Sequence, residues 1–223
     1  MKLLKDIRIF IYDECSSSFF SSRHLIQKNF NLISTRLAKF LATQGLYTNG
    51  DYDHIYLIFR ESKDGFNVLE STEKLEKELN WIKGFYVEIS KEKFSNLDNG
   101  NNVIEFYELL NKTLSYIFPS SKDIIESSIN LLIEYGENIE IGYKCKSNGD
   151  ICVNLKYRLL DNCKFIPIII ISNGNGDVIK RVELAPASEL GMFGEIRITK
   201  TKVTIMHKKL YIRRNCFPIK IDI

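Results

Sequence analysis

A histidine beside two carboxylates is the part of this 223-residue chain whose residue types and spacing could do chemistry. Asp51 and Asp53 precede His54 at the start of a segment that predicts a β-strand. A carboxylate that orients an imidazole supports general acid–base catalysis, and the same groups can bind a metal ion. Solvated side chains at the end of a strand would show the same pattern, and the sequence favours this second interpretation.

Other motifs that could do chemistry are weaker. Residues 13–15, Asp-Glu-Cys, follow the first predicted strand, so in a parallel arrangement they lie at the edge opposite His54. Residues 173–177 contain G-x-G, but no helix follows to bind a phosphate, and a hairpin turn is favoured. His24, His54 and His207 form no pair at zinc-ligand spacing. We therefore expect no catalytic residue, no metal site and no cofactor, and an enzyme is not the favoured class.

Positive charge is concentrated in the final third of the chain. Residues 139–223 contain 15 Lys and Arg against 8 Asp and Glu, a net charge of +7, whereas residues 1–138 contain 16 against 20. The candidate binding residues combine cations with one aromatic ring: Lys208, Lys209, Tyr211, Arg213 and Arg214. Cations bind phosphates and aromatic rings stack on bases, so this segment permits nucleic-acid binding. The alternative is a solvated sheet face whose cations prevent edge pairing.

The N-terminal part predicts a β-α-β segment. Alternating isoleucines predict a strand that ends near Tyr12, and residues 51–60 are apolar on both faces, which is typical of a strand buried on two sides. Between them, spacings of four, three, four and four residues predict a helix with one apolar stripe: Ile26, Phe30, Ile33, Leu37 and Leu41. Residues 73–79 predict a short helix or turn, and alternation from Trp81 to Ile89 predicts another strand.

Two central helices follow the loop at residues 98–102, which is the best candidate for an internal subdomain boundary. The first runs from Val103 to Ile117, where Pro119 ends it. Ser120 or Ser121 caps the second, which ends before a glycine. Its predicted apolar stripe is Ile125, Ile129, Leu132 and Tyr135.

The remaining residues predict an antiparallel β-meander that opens with a hairpin. We expect a three-residue loop, 147–149, with Gly149 in the left-handed conformation. This register places Cys145 opposite Ile151. It also gives the following pairs: Tyr143 with Val153, Ile141 with Leu155, Ile139 with Tyr157, Lys146 with Asp150 and Glu140 with Lys156. All the apolar pairs then share one face.

Later strands are predicted at residues 165–171, 178–184, 195–199, 203–206, 210–213 and 217–221. The isoleucines of residues 165–171 indicate a strand covered on both faces, and the last strand is expected to be paired inside the sheet. The predicted fold class is therefore α+β in a single domain. It comprises an N-terminal β-α-β segment, two central helices and a C-terminal antiparallel β-meander.

Composition and cysteine content suggest a compartment. The chain is 44% hydrophobic and 26% charged, near the globular average. Five cysteines, an odd number, form no C-x-x-C pair, so reduced thiols and no disulfide framework are expected. Charges interrupt the N-terminal apolar residues and no later run is long enough to span a membrane. We expect a cytoplasmic protein that binds no membrane.

The order of elements resembles that of small bacterial immunity proteins of polymorphic toxin systems. The resemblance rests on an opening of strand, helix and strands, then residues 80–89 (Asn-Trp-Ile-Lys-Gly-Phe-Tyr-Val-Glu-Ile), a helix around 106–117 and a long β-meander. It implies a cytosolic protein that neutralises a toxin by covering its surface, without catalysis. The sequence thus supports two functional hypotheses, a non-enzymatic binding protein with a protein partner and a nucleic-acid-binding module.

Overall fold

The computed structural model describes residues 1–12, 23–25, 28–71, 80–99, 102–208 and 218–223. They form two compact units, residues 1–136 and 137–223. Helices and strands occur together and the C-terminal sheets are antiparallel, so the predicted α+β class is confirmed. Among the described residues, no helix has both the length and the apolar character needed to cross a membrane.

The described residues of the first unit contain one sheet. Its strands are β1 (Asp6–Tyr12), β2 (Arg23–Leu25), β3 (His54–Glu61), β4 (Asn67–Glu70) and β5 (Ile82–Ile89). Their order is β2-β1-β3-β5-β4; β1, β3 and β5 are parallel, and the two edge strands are antiparallel to their neighbours. The strand predicted from Trp81 to Ile89 is confirmed as β5, whereas residues 73–79 lie outside the described part.

Four helices accompany this sheet in the described part of the first unit: α1 (Lys28–Thr43), α2 (Lys91–Asp98), α3 (Val103–Ile117) and α4 (Lys122–Tyr135). Helix α1 lies between β1 and the parallel β3, which confirms the β-α-β segment. Ile26, the first residue of the apolar stripe predicted for α1, lies outside the described residues. The other four residues of that stripe are buried. The bounds of α3 match the prediction, and α2 is a helix that the sequence analysis missed.

Both faces of β3 are buried, as predicted. Ile55, Leu57 and Phe59 are fully buried on one face, while Tyr56 and Ile58 are buried on the other. The second face forms an aromatic-rich cluster together with residues of β1 and β5 and with Trp81: Phe10, Tyr12, Ile82 and Tyr86. Because burial on both faces excludes water from the central strand, β3 anchors the core of the first unit.

The described residues of the second unit form two antiparallel sheets. One has the order β6 (Ile141–Asn148), β7 (Ile151–Leu159), β8 (Phe165–Ser172) and β9 (Val178–Glu183). The other has the order β10 (Phe193–Ile198), β11 (Lys202–His207) and β12 (Ile219–Asp222). The meander is therefore confirmed over the described residues, whereas the strand predicted at 210–213 lies outside them. The final strand pairs with β11, although in the described sheet it is an edge strand.

Hydrogen bonds link the two sheets at both edges. Three side chains of the four-stranded sheet donate to main-chain carbonyls of the three-stranded sheet: Lys144 to Gly194, Asn148 to Ile198 and Lys180 to Asp222. Each sheet also contributes fully buried side chains, such as Val153 and Ile169 from one and Val203 and Ile205 from the other. The second unit is thus a small two-sheet arrangement with its own core.

The predicted register of the first hairpin is wrong. Asn148 lies opposite Ile151, so the loop has two residues, Gly149 and Asp150. Gly149 does adopt a positive φ of 58°. Glycine at the first of two loop positions is typical of the type II′ turn, which matches the twist of the flanking strands. The preference for this turn geometry outweighs the benefit of placing all apolar residues of the hairpin on one face, which was the basis for predicting a three-residue loop.

An irregularity at Tyr143 restores the burial of the hairpin's base. Ile141 lies opposite Tyr157 and both are buried, but beyond the irregularity the pairing shifts by one residue. Val153, Leu155 and Tyr157 of β7 are buried as predicted and Ile151 is only partly buried, whereas Tyr143 and Cys145 of β6 are exposed. Lys156 Nζ lies 3.5 Å from a Glu140 carboxylate oxygen, so this expected charge pair is present despite the different register.

Candidate binding surface

Asp53 forms a compact ionic cluster at the amino-terminal ends of the parallel strands. Its carboxylate lies 2.5 Å from Lys5 Nζ and 2.5 Å from His54 Nδ1. The main chain fixes these positions, because Lys5 N donates to the Asp53 carbonyl while Asp53 N and His54 N both donate to the carbonyl of Trp81. The sequence pair Asp53 and His54 is therefore brought together as expected, whereas Asp51 is exposed.

Asp53 is charged and orients the imidazole. Burial by itself would raise the pKa of Asp53, but hydrogen bonds from Lys5 and His54, together with their charges, outweigh it and hold this pKa below its usual value. An ionised carboxylate only accepts hydrogen bonds, so His54 Nδ1–H is the donor. The ring of His54 packs edge-on against Trp81, with centroids 4.5 Å apart, and about a fifth of its side chain is exposed.

The position of this cluster favours a structural role. In open α/β sheets, ligands bind at the carboxyl ends of parallel strands, whereas Lys5, Asp53 and His54 lie at the amino ends. Over the described ranges, no three His, Cys, Asp or Glu side chains converge in a way that could hold a metal ion. We interpret the cluster as an electrostatic link between the starts of β1 and β3. Residues 13–15 lie outside the described part.

The candidate basic residues are only partly described. Lys208 is exposed, and its main-chain N–H donates to the Met192 carbonyl. Lys209, Tyr211, Arg213 and Arg214 lie outside the described residues, so a continuous basic patch stays a prediction. Residues 173–177 form the predicted hairpin turn, in which the Asn173 side chain accepts hydrogen bonds from the N–H groups of Asn175 and Asp177.

Much of the second unit's described positive charge is balanced locally. Arg181 lies 2.7 Å from Glu140, and Arg158 lies 2.5 Å from Glu183. Burial would raise the pKa of Glu140, but Arg181 and Lys156 lower it below its usual value. Two further pairs are Arg197 with Glu195 and Lys202 with Asp222. These pairs agree with the solvated-sheet interpretation of the charge more closely than with a phosphate-binding surface.

Helix α4 carries an exposed apolar stripe. Ile124, Leu131 and Tyr135 are 37%, 38% and 48% exposed. Spacings of seven and four residues place all three on one side of a helix. Glu134 accepts a hydrogen bond from the Tyr135 hydroxyl, an interaction that raises the pKa of Tyr135. We call Ile124, Leu131 and Tyr135 the α4 stripe.

The α4 stripe was not predicted, because the spacing of apolar residues in α4 indicates one apolar face. Three residues of that face, Ile125, Ile129 and Leu132, are buried as predicted, but the fourth, Tyr135, is exposed. Helix α4 has more apolar residues than one buried face requires. The sequence signal for the α4 stripe is this excess of apolar residues, together with the spacing of Ile124 and Leu131.

Comparison of the chain with protein families, with curated proteins and with solved structures finds no match. The fold itself defines the class of this protein: it is an α+β protein of two compact units. The α4 stripe lies on the first unit, and an ion-paired sheet surface lies on the second.

Proposed function

We propose that this chain is a non-enzymatic binding protein whose partner is another protein, and that the α4 stripe is the centre of the contact. The observation that carries the proposal is the alignment of three exposed apolar side chains, Ile124, Leu131 and Tyr135, on one side of a helix. Large apolar side chains that line up on a surface mark interaction sites more often than chance exposure does.

The chemistry of the α4 stripe suits a protein groove. Helices that dock into apolar grooves present anchors at spacings of three, four and seven residues, which the α4 stripe matches. Tyrosine is enriched among the residues that dominate binding energy, since it combines apolar area with a hydroxyl. Exposed polar residues along one side of the α4 stripe, Ser127 and Glu134, supply part of the polar rim that surrounds the apolar centre of an interface.

The resemblance to immunity proteins supplies a specific partner class, a toxin domain that the chain would bind and cover in the cytosol. This finer proposal requires only surface complementarity. It agrees with the structural interpretation of the Asp53 cluster, which assigns no catalytic reaction to Asp53 and His54.

A matched pair of neighbouring substitutions tests the role of the α4 stripe. Leu131→Arg places a charge in the stripe, whereas Asn130→Arg places the same charge on an exposed residue outside it. Tagged wild-type and variant chains are expressed in the native cell, and captured proteins are quantified by mass spectrometry with isotope labels. Circular dichroism melting checks that both variants fold.

We expect Leu131→Arg to lose a protein partner that the wild type and Asn130→Arg both retain. Burying an unpaired charge in an apolar contact costs several kcal/mol, so the loss should exceed about tenfold in captured partner. Capture of no protein partner by the wild type, or equal capture by all three chains, contradicts the proposal. If the captured partner is not a toxin, the finer proposal is wrong while the general one stands.

A further inference from the structure

Two cysteine side chains meet on the exposed face of the first hairpin. Cys145 of β6 and Cys152 of β7 have their Sγ atoms 3.6 Å apart. They are not directly opposite each other, because Cys145 faces Asn154 and Cys152 faces Ser147. The two cysteines are therefore diagonal neighbours on the same side of an antiparallel pair.

The observed register is what brings these thiols together. With the predicted three-residue loop, Cys152 would lie opposite Lys144, so that Cys145 and Cys152 would point to opposite faces of the sheet. With the observed two-residue loop, both point to the same face. Cys145 is exposed and Cys152 is partly exposed, so the pair lies at the surface of the second unit.

The surroundings of the pair distinguish the two thiols. A hydrogen bond from Ser147 lowers the pKa of the Cys152 thiol in spite of burial, and hydrogen bonds from Cys145, Asn154 and Ser172 lower it further. Burial raises the pKa of Cys145, and its contact with Cys152 raises it further. Because the thiolate is the nucleophile in disulfide exchange, and because Asn154 Nδ2 donates to Cys152 Sγ at 3.5 Å, these contacts favour Cys152 as the attacking thiol.

We propose that Cys145 and Cys152 are a modification site, at which a low-molecular-weight disulfide oxidises the two thiols to a reversible intramolecular disulfide. A disulfide requires an S–S distance of about 2.0 Å, so the two Sγ atoms must approach each other by about 1.6 Å for the bond to form. The bond would link β6, an edge strand of the described four-stranded sheet, covalently to the neighbouring strand β7.

Glutathione disulfide is the oxidant, and it accepts the electrons that the two thiols lose. The Cys152 thiolate attacks one sulfur of glutathione disulfide, which breaks the glutathione S–S bond and releases one glutathione thiolate. Cys145 then loses its proton and attacks Cys152 Sγ, breaking the mixed disulfide and releasing the second glutathione thiolate. The protein loses two electrons and two protons, and the oxidant gains them as two thiols.

The test uses the full chain, which is incubated with mixtures of reduced and oxidised glutathione. Remaining free thiols are then alkylated, and the chain is cleaved after Asp150 so that the two cysteines fall on separate peptides. We expect a cross-linked peptide pair containing Cys145 and Cys152 that dithiothreitol separates. Cys163→Ser removes another exposed cysteine and is the control, expected to leave the yield of this cross-link unchanged.

Single variants separate the roles of the two thiols. Cys145→Ser should accumulate a mixed disulfide with glutathione on Cys152, because the resolving thiol is missing. Cys152→Ser should abolish the cross-link and react with glutathione disulfide more slowly at Cys145. The proposal is overturned if Cys145 and Cys152 stay separately alkylated while Cys163 is oxidised, or if either is linked mainly to another cysteine.

Discussion

Phe30 of α1 stacks on Phe106 of α3, with ring centroids 4.3 Å apart and an interplanar angle of 29°. Both rings are fully buried. In the chain, the two helices lie on either side of residues 98–102, so this contact joins the β-α-β segment to the helices that follow. It explains in part why residues 1–136 form one compact unit.

Truncation of one ring in this stack should be costly. Phe106→Ala removes a fully buried aromatic side chain, and the expected loss in the free energy of unfolding is about 3 to 5 kcal/mol. Ile104→Ala, two residues away and 54% exposed, should change it by less than about 1 kcal/mol. Urea denaturation followed by circular dichroism measures both. Similar losses for the two variants would show that the stacked rings contribute little to the free energy of unfolding.

The N-terminal cap of α3 should matter more than that of α4. Asn102 Oδ1 accepts a hydrogen bond from Glu105 N at 3.1 Å, whereas Ser121 holds the same position at α4 without a capping bond from its side chain. Asn102→Ala is therefore expected to cost about 1 kcal/mol and Ser121→Ala only a few tenths. Thermal melts of both variants provide the comparison, and a larger effect at Ser121 would contradict the assignment.

The Asp53 cluster predicts a dependence of stability on pH. The folded pKa of Asp53 lies below its unfolded value of about 3.9, so its stabilisation is present above that pH and is lost as the pH falls through the folded value. Asp53→Asn should lower the free energy of unfolding at pH 7 by about 1 to 3 kcal/mol. The difference from the wild type should shrink in acid.

Urea titrations at several pH values between neutral and strongly acidic measure this dependence. Asp51→Asn is the control, since Asp51 is a nearby but exposed carboxylate. A difference between wild type and Asp53→Asn that stays constant down to the most acidic pH would show that the charge of Asp53 does not stabilise the fold.

Gly194 is a site of close backbone approach. A Cβ atom there would lie 2.7 Å from the carbonyl oxygen of His207, on the neighbouring strand, which is too short for a normal contact. Gly194→Ala should therefore destabilise the second unit by about 1 to 3 kcal/mol. At Gly174 the nearest atom, in the Asp150 side chain, is 3.4 Å away, so Gly174→Ala should be tolerated. Hydrogen exchange of β10 and β11 amides distinguishes the two variants.

Periodicity predicted the elements well because it reports which side chains must leave water. The bounds of α3, the buried residues of α1 and the two-sided burial of β3 all follow from the spacing of apolar residues. The same signal failed at the first hairpin. There, the geometry of a turn that begins at Gly149 and the irregularity at Tyr143 outweighed the alternation of β6.

Site prediction was less successful, because it depends on neighbours far apart in sequence. The chain order places Asp53 beside His54, but their contacts with Lys5 and Trp81 depend on the pairing of parallel strands. The exposure of the α4 stripe depends on which side of α4 the rest of the first unit covers. Four of the five candidate binding residues lie outside the described part, and their role stays a prediction.

The sequence by itself determined the α+β class, the positions of most helices and strands, and the uneven distribution of charge, since composition and local periodicity are properties of the chain alone. Only the tertiary structure decided which apolar residues of α4 are covered, which acids neutralise the basic sheet, and that Cys145 meets Cys152. Each of these depends on strand register or helix packing. A shift of one residue in register moves a side chain to the opposite face, so local patterns could not decide them.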